Sequence, residues 1–339
     1  MQTPIYSLQI LRFIAALLVV LHHLSQQYQA DVFPFGGFGV DLFFVISGFV
    51  IALTSNHVTP RQFLVDRAAR IVPLYWVLTI ALVVAALLAP GLLKTTTATP
   101  IDIVQSLLFI PYARETGAIQ PILFLGWTLN YEVFFYGLFA VALLFGRWRY
   151  LLILALLAAL ATIGYTTQTD IVPLVVWTNG IILEFGFGIV LYLAWQAGHI
   201  RRLGPWPALV GITLVTIAAV QNLNLPRELT FGIPAALIVA GALNIAIPNR
   251  GLWAPVILLG NASYSIYLIH PYVIQAIDLA TRPITTNAPA LQIAIAVLSI
   301  AAICAISVAT YLTVERPTQR WLKALAGRSN SALVKPTRV

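Results

Sequence analysis

Charge is scarce in this chain. Only 9% of its 339 residues are Asp, Glu, Lys or Arg and 60% are hydrophobic, whereas a soluble domain typically has a charged share of about a quarter. Water cannot be the solvent of such a surface, so a soluble globular protein is excluded. Thiols are scarcer still. Cys304 stands alone inside an apolar run, which excludes a disulfide framework or a cysteine metal site within one chain, and no metal is expected. Acidic side chains number 11 against 19 Lys and Arg, a formal charge of +8. That excess does not point to nucleic acid, because the positive residues lie in short connections and the tail, not in one basic stripe.

What is abundant is uninterrupted apolar sequence, in runs near the roughly 20 residues that a helix needs to cross a bilayer. The runs predict ten helices near 8–28, 37–55, 72–90, 125–146, 150–166, 171–196, 206–221, 229–247, 254–276 and 290–314. The expectation is an all-α polytopic membrane bundle over 1–317, followed by a basic tail at 318–339. Arg12 interrupts the first run and no small-residue cleavage pattern follows it, so that run is read as a retained helix and not as a signal peptide. Pro90, Gly91, Thr95, Thr96, Thr97, Pro205, Pro207, Pro226, Pro248 and Pro289 punctuate the runs, as expected where helices stop or start. Orientation follows from positive charge, which accumulates in cytoplasmic connections. One side collects Arg61, Arg67, Arg70, Arg147, Arg149, Arg201, Arg202, Arg250 and six more within 316–338, fourteen in all, while the other has Lys94, Arg114, Arg227 and Arg282. Both termini are therefore expected in the cytoplasm, which an even number of crossings requires. The longest outer connection, 91–124, contains an apolar piece at 101–110 that is too short to span and reads as an interfacial or re-entrant helix.

Ionisable residues inside apolar helices are costly and usually mark a pathway or a reaction site. Arg12 and His23 stand eleven residues apart in the first run; on a helix they share one stripe, separated by about 16 Å along the axis. His22 lies off that stripe. The second run holds Asp41, near small Ser47 and Gly48; the fourth holds Trp127, Asn130 and Glu132; the ninth holds Ser263, Tyr267 and His270 on one face. With the assigned orientation, His23, Asp41, Glu132 and His270 fall in the outer half of their helices, and Asp41 needs a partner. Arg67 and Arg70, one turn apart, lie on the inner side with Arg12 just inside the hydrocarbon, a plausible phosphate site. Glu184, between apolar residues near Gly186 and Gly188, fits no motif; substrate contact and helix adhesion are both open to it.

These motifs, taken together and in order, resemble the acyltransferase 3 family of membrane acyltransferases over almost the full length of the chain. Arg12 with ten residues before His23, the stretch 39–49, Arg67-x-x-Arg70-Ile71-x-Pro73, Trp127-x-Leu129-x-x-Glu132, Tyr264-Ser265-x-Tyr267-Leu268-x-His270 and Glu315-Arg316-Pro317 carry the resemblance. The short layout opening Leu8-Gln9-Ile10-Leu11-Arg12-Phe13 is similar to bacterial exopolysaccharide O-acetyltransferases of the succinoglycan type, with Phe13 where the family often has Gly. The resemblance implies acyl-coenzyme A, acetyl by default, as the donor substrate entering from the cytoplasm, and a saccharide or lipid-linked oligosaccharide hydroxyl as the acceptor. It implies the bacterial inner membrane as location, lipids as surroundings and no permanently bound cofactor. The chain ends soon after the last apolar run, so the acceptor is expected to reach the membrane cavity itself.

On that reading neutral His23 takes the proton from the acceptor hydroxyl as its oxygen attacks the thioester carbonyl, a covalent acyl-histidine being the other route. Asp41 or Glu132 orients His23 or holds the sugar; Arg12, Arg67 and Arg70 bind the coenzyme A phosphates; Trp127, Tyr267 and His270 are candidates for acceptor binding. Each has a plainer alternative: helix-to-helix hydrogen bonding for the histidines, carboxylates and Tyr267, and positive-inside anchoring for Arg67 and Arg70. A transporter or flippase of a lipid-linked saccharide is the competing class, weakened by the lack of a detectable internal repeat.

Overall fold

The computed structural model describes residues 5–27, 36–56, 58–88, 99–221, 225–285 and 289–325. The turn residues Pro90, Gly91 and Thr95 to Thr97, the charge Lys94 and the tail charges Arg328, Lys335 and Arg338 lie outside them. The described chain is helical: α1 (Tyr6–Gln27), α2 (Phe38–Thr54), α3 (Pro60–Leu88), α4 (Pro100–Leu107), α5 (Trp127–Leu143), α6 (Arg149–Thr166), α7 (Val172–Trp177), α8 (Leu183–Gln196), α9 (His199–Leu203), α10 (Trp206–Gln221), α11 (Ile233–Ala242), α12 (Trp253–Asn261), α13 (Ser263–Thr285), α14 (Pro289–Thr310) and α15 (Arg316–Leu325). The only extended pairing among these residues is one isolated antiparallel bridge, Ala113 with Ile119.

Four helical stretches are long and apolar enough to cross a membrane: Tyr6–Gln27, Pro60–Leu88, Gly146–Thr166 and Ala290–Leu325; Phe38–Thr54, Gly180–Gln196, Trp206–Gln221 and Glu228–Ala242 are apolar but shorter. Several apolar runs that the sequence presents as single spans are broken. The run 171–196 is interrupted between α7 and α8 at Asn179, whose side chain accepts from the Ile181 amide; a polar cap of this kind starts a new helix instead of continuing the old one. The run 254–276 breaks at Ala262 between α12 and α13. In the opposite sense, α3 begins twelve residues before the expected 72 and continues through Pro73. Proline removes a donor from the helix ladder, and in the same turn the Tyr264 hydroxyl donates to the Ile71 carbonyl at 2.8 Å, tying α13 to α3. Arg67 and Arg70 are thereby helical residues, not members of a loop. The apolar piece at 101–110 forms α4, opened by a capping box of Thr99 and Asp102 and held on α3 by Tyr75 to Ser106 O (3.1 Å) and Trp76 to Leu107 O (2.9 Å). The boundary expected at 317–318 falls inside α15.

The core sits where α2 is enclosed by α1, α8 and α11, with α3 and α5 beyond. Between helices in lipid there is little hydrophobic driving force, so small residues that allow close approach decide which pairs pack. At the α2 and α8 crossing a Cβ on Gly48 would overlap the carbonyl oxygen of Phe185, and one on Gly188 would overlap that of Val45. The contact is backbone against backbone from both sides. Phe44, Phe135 and Phe185 stack around it, with ring centroids 4.6 Å and 4.4 Å apart. Gly48→Val should therefore force α2 from α8, with an overpacking cost of about 1–3 kcal/mol or more, read as a lower melting temperature in detergent. Gly137→Ala, which meets nothing within 4 Å, should leave the melting temperature unchanged or slightly raised; equal effects of the two would refute the close crossing.

Candidate functional site

Helices α1, α2, α3, α5 and α13 surround a partly open cavity whose empty space, open solvent included, is about 740 Å³. Its polar lining comes from Arg12 on α1, Ser47 on α2, Arg67 and Arg70 on α3, Thr128, Glu132 and Tyr136 on α5, and Ser263, Tyr264 and Tyr267 on α13. Helical spacing puts these groups there: Arg67 and Arg70, Glu132 and Tyr136, and Tyr264 and Tyr267 are pairs three or four apart on one face. Phe43, Phe44, Val40, Ile46 and Leu129 supply an apolar wall.

At one end of this cavity the charges converge. Arg12 lies within electrostatic reach of Arg70, Glu315 and Glu132, and Arg67 within reach of Arg70 and Glu132. Glu132 is held by its own side: Ser47 donates to Oε1 at 3.1 Å, and the Tyr136 hydroxyl donates to the same oxygen in a short contact. Glu315, which ends a π-helical turn at Tyr311–Glu315, accepts from Ser265 at 2.7 Å and from Gln319 at 3.1 Å. Arg67 lies over the Phe63 ring at 5.6 Å and reaches Thr54 Oγ1 at 3.5 Å. The Arg12 and Arg70 guanidinium groups donate no hydrogen bond to another described residue. Their donors face the cavity, an arrangement that suits a phosphate or carboxylate.

The other end is closed by an aromatic layer. The Tyr267 hydroxyl shares a hydrogen bond with Thr128 Oγ1 at 3.0 Å and donates to the Leu125 carbonyl at 3.2 Å; its ring packs edge-on to Phe43. Beyond Tyr267 lie two imidazoles. His23 Nδ1 is 2.9 Å from the Val19 carbonyl and 3.2 Å from His270 Nε2, while His270 Nδ1 is 3.1 Å from the Ile266 carbonyl. His270 is fully buried and its ring centroid is 6.3 Å from that of Tyr267. His23 is half-buried, edge-on to Phe124, and its Nε2 bonds to no described residue. The cavity stops at Tyr267, so His23 adjoins it without lining it.

Five of the nine residues picked out by sequence, Arg12, Arg67, Arg70, Glu132 and Tyr267, thus line one cavity, and His23 and His270 touch each other just past its end. Glu132 does not share the histidine level. It sits one turn further along α5 than Thr128, among the arginines. Trp127 packs against Tyr131 instead of lining the cavity. Asp41 meets neither histidine: it is buried and forms a two-pronged ion pair with Arg227, Nη2 to Oδ2 at 2.7 Å and Nε to Oδ1 at 2.9 Å. Arg227 also donates to the Gly37 carbonyl at 3.1 Å. Glu184, fully buried on α8, completes this second group beside Asp41, with Gly232 pressed against its side chain. Sequence reading counted Arg227 only as a loop charge; the signal available was the unpaired Asp41, which had to meet a cation somewhere. Ser47, Tyr136 and Glu315 were also missed as neighbours of the arginines, because nothing in local spacing reports contacts between distant helices. Among the described residues no group of three or more His, Cys, Asp or Glu is placed to hold a metal.

Comparison with known proteins bears on the same residues. The chain is 39% identical over 310 residues, 88% of its own length and 96% of the relative's, to the exopolysaccharide production protein ExoZ of Rhizobium meliloti (strain 1021). It is 35% identical over 162 residues, 41% of this chain and 78% of the relative, to protein 2 in the picA locus of Rhizobium radiobacter. No solved structure matches it. Residues 5–312, which include the cavity, both imidazoles and the Asp41 to Arg227 pair, match the acyltransferase domain of acyltransferase 3, so the chain belongs to that family of membrane acyltransferases.

Proposed function

We propose that the protein transfers an acyl group, acetyl by default, from acyl-coenzyme A to a sugar hydroxyl of an exopolysaccharide or its lipid-linked precursor, in the bacterial inner membrane. The observation that carries the reading is the order of groups: the uncommitted Arg12 and Arg70 guanidinium groups at one end of the cavity, an apolar wall, and His23 adjoining the other end, about 16 Å from Arg12 by helix rise. A long thin donor with a phosphorylated end fits that order. Likeness to a protein named for exopolysaccharide production supports the acceptor class.

On this reading Arg12, Arg67 and Arg70 hold the donor's phosphates by charge-assisted hydrogen bonds. The thioester lies against Phe43, Ile46 and Leu129, with the acyl carbon directed toward Tyr267 and the level of His23 beyond it. His23 Nε2 takes the proton of the acceptor hydroxyl as its oxygen attacks the carbonyl carbon; the C–O bond forms, the C–S bond breaks, and the leaving thiolate takes that proton back. Asp41 acts elsewhere, anchoring Arg227 and the mouth of α2.

The test is transfer of label from acetyl-coenzyme A to a panel of lipid-linked and polymeric sugars by protein in lipid discs. His23→Ala should lower turnover by about 10²- to 10⁴-fold, the usual range for a general base, with donor affinity kept. Full transfer by that variant would remove His23 from the chemistry. Arg67→Gln together with Arg70→Gln should weaken donor binding by roughly tenfold or more, since each charge-assisted hydrogen bond contributes about 1.5–3 kcal/mol. Unchanged donor affinity would make both residues membrane anchors.

A further inference from the structure

We propose that His270 is a positioning residue that fixes which nitrogen of His23 accepts the proton. The argument starts from groups that can only accept. A main-chain carbonyl has no proton to give, so the His270 nitrogen 3.1 Å from the Ile266 carbonyl, Nδ1, carries the hydrogen. A neutral imidazole has one N–H; His270 Nε2 is therefore a bare lone pair. That lone pair faces His23 Nδ1 at 3.2 Å, and the Val19 carbonyl faces the same nitrogen at 2.9 Å. Two acceptors converge on His23 Nδ1, which must hold the hydrogen. By elimination the lone pair of His23 sits on Nε2, the nitrogen that bonds to no described residue.

The chain of donors runs one way, from His23 to His270 to the α13 backbone, and α13 keeps its register because Tyr267 and Tyr264 are each pinned by hydrogen bonds to other helices. When His23 Nε2 gains a proton, the Nδ1–H becomes a stronger donor to an acceptor already in place. This is the task that a buried carboxylate performs beside many catalytic histidines. A neutral imidazole does it without a second buried charge, whose desolvation in this apolar setting is costly. Burial of His270 suits the role: substrate cannot reach it, and only its contact with His23 connects it to the reaction.

This inference rests on the proposed acyl transfer for its consequence but not for its geometry, and two readouts separate them. Nitrogen-15 resonances of histidine-labelled protein, with His23 assigned by loss in His23→Ala, should report Nδ1 protonated and Nε2 bare in the unsubstituted chain at neutral pH. A protonated Nε2 there would overturn the inference even if transfer is robust; absence of any transfer alongside the expected tautomer would refute the function and leave the inference standing. In the transfer assay His270→Leu should lower kcat on the order of ten- to a hundredfold, as loss of an orienting partner commonly does, with KM for the donor unchanged and the His23 Nδ1 resonance shifted. His270→Gln, whose side-chain carbonyl can stand where Nε2 stood, should restore most of both. Unchanged kcat and Nδ1 resonance in His270→Leu, or no restoration by a normally melting His270→Gln, would refute a positioning role.

Discussion

The constraint on which this architecture depends is that a charge inside an apolar helix bundle must find its counter-charge or hydrogen-bond partner within the protein. With 9% charged residues, the chain can satisfy that demand at only a few places. Two groups of buried charge result. One gathers Arg12, Arg67, Arg70, Glu132 and Glu315 from four separate segments; the other gathers Asp41, Glu184 and Arg227 from three. Each group fixes helices relative to one another, as the Gly48 and Gly188 crossing does by sterics. The two work together, because α2 contributes Asp41 to one group and Ser47 to the other, two turns apart, and the glycine crossing holds α2 in place between them.

That division separates roles which look alike in sequence. Asp41 and Glu132 are both carboxylates early in apolar helices, and either is a reasonable partner for His23 until three-dimensional contacts are known. Asp41 is already engaged by two hydrogen bonds from one guanidinium, and Glu132 faces the arginines. The imidazole partner of His23 is a second imidazole from α13, and on the proposed reading His23 alone takes the proton while neutral His270 orients it, with no carboxylate beside the pair.

Much of this was legible in the sequence for identifiable reasons. Apolar runs reveal helices because backbone polar groups in lipid must bond within the segment, and an eleven-residue spacing places Arg12 and His23 on one stripe whatever surrounds them. The motif order identified the family that the relatives bear out. Helix ends were less legible. Proline at position 73 looks like a helix start but is absorbed within α3, and the breaks at Asn179 and Ala262 fall at or beside one or two polar residues inside stretches that otherwise read as continuous apolar runs. Long-range partners were hidden altogether: nothing near Arg227 distinguishes it from a surface loop charge, and nothing near Glu315 announces its bond to Ser265. Contacts of that kind are decided by packing between helices, and packing is not periodic.

The five charges at the arginine end amount to three guanidinium groups against two carboxylates, and the consequence concerns release as much as capture. Glu132 and Glu315 lie within electrostatic reach of Arg12 without pairing to it, so the cluster offsets much of its own positive charge. Each carboxylate already bonds to other side chains, Glu132 to Ser47 and Tyr136 and Glu315 to Ser265 and Gln319, so on the proposed reading an incoming polyanion has no bonded partner of Arg12 or Arg70 to displace. Such a site trades peak affinity for ready exchange, which on that reading suits release of the spent donor.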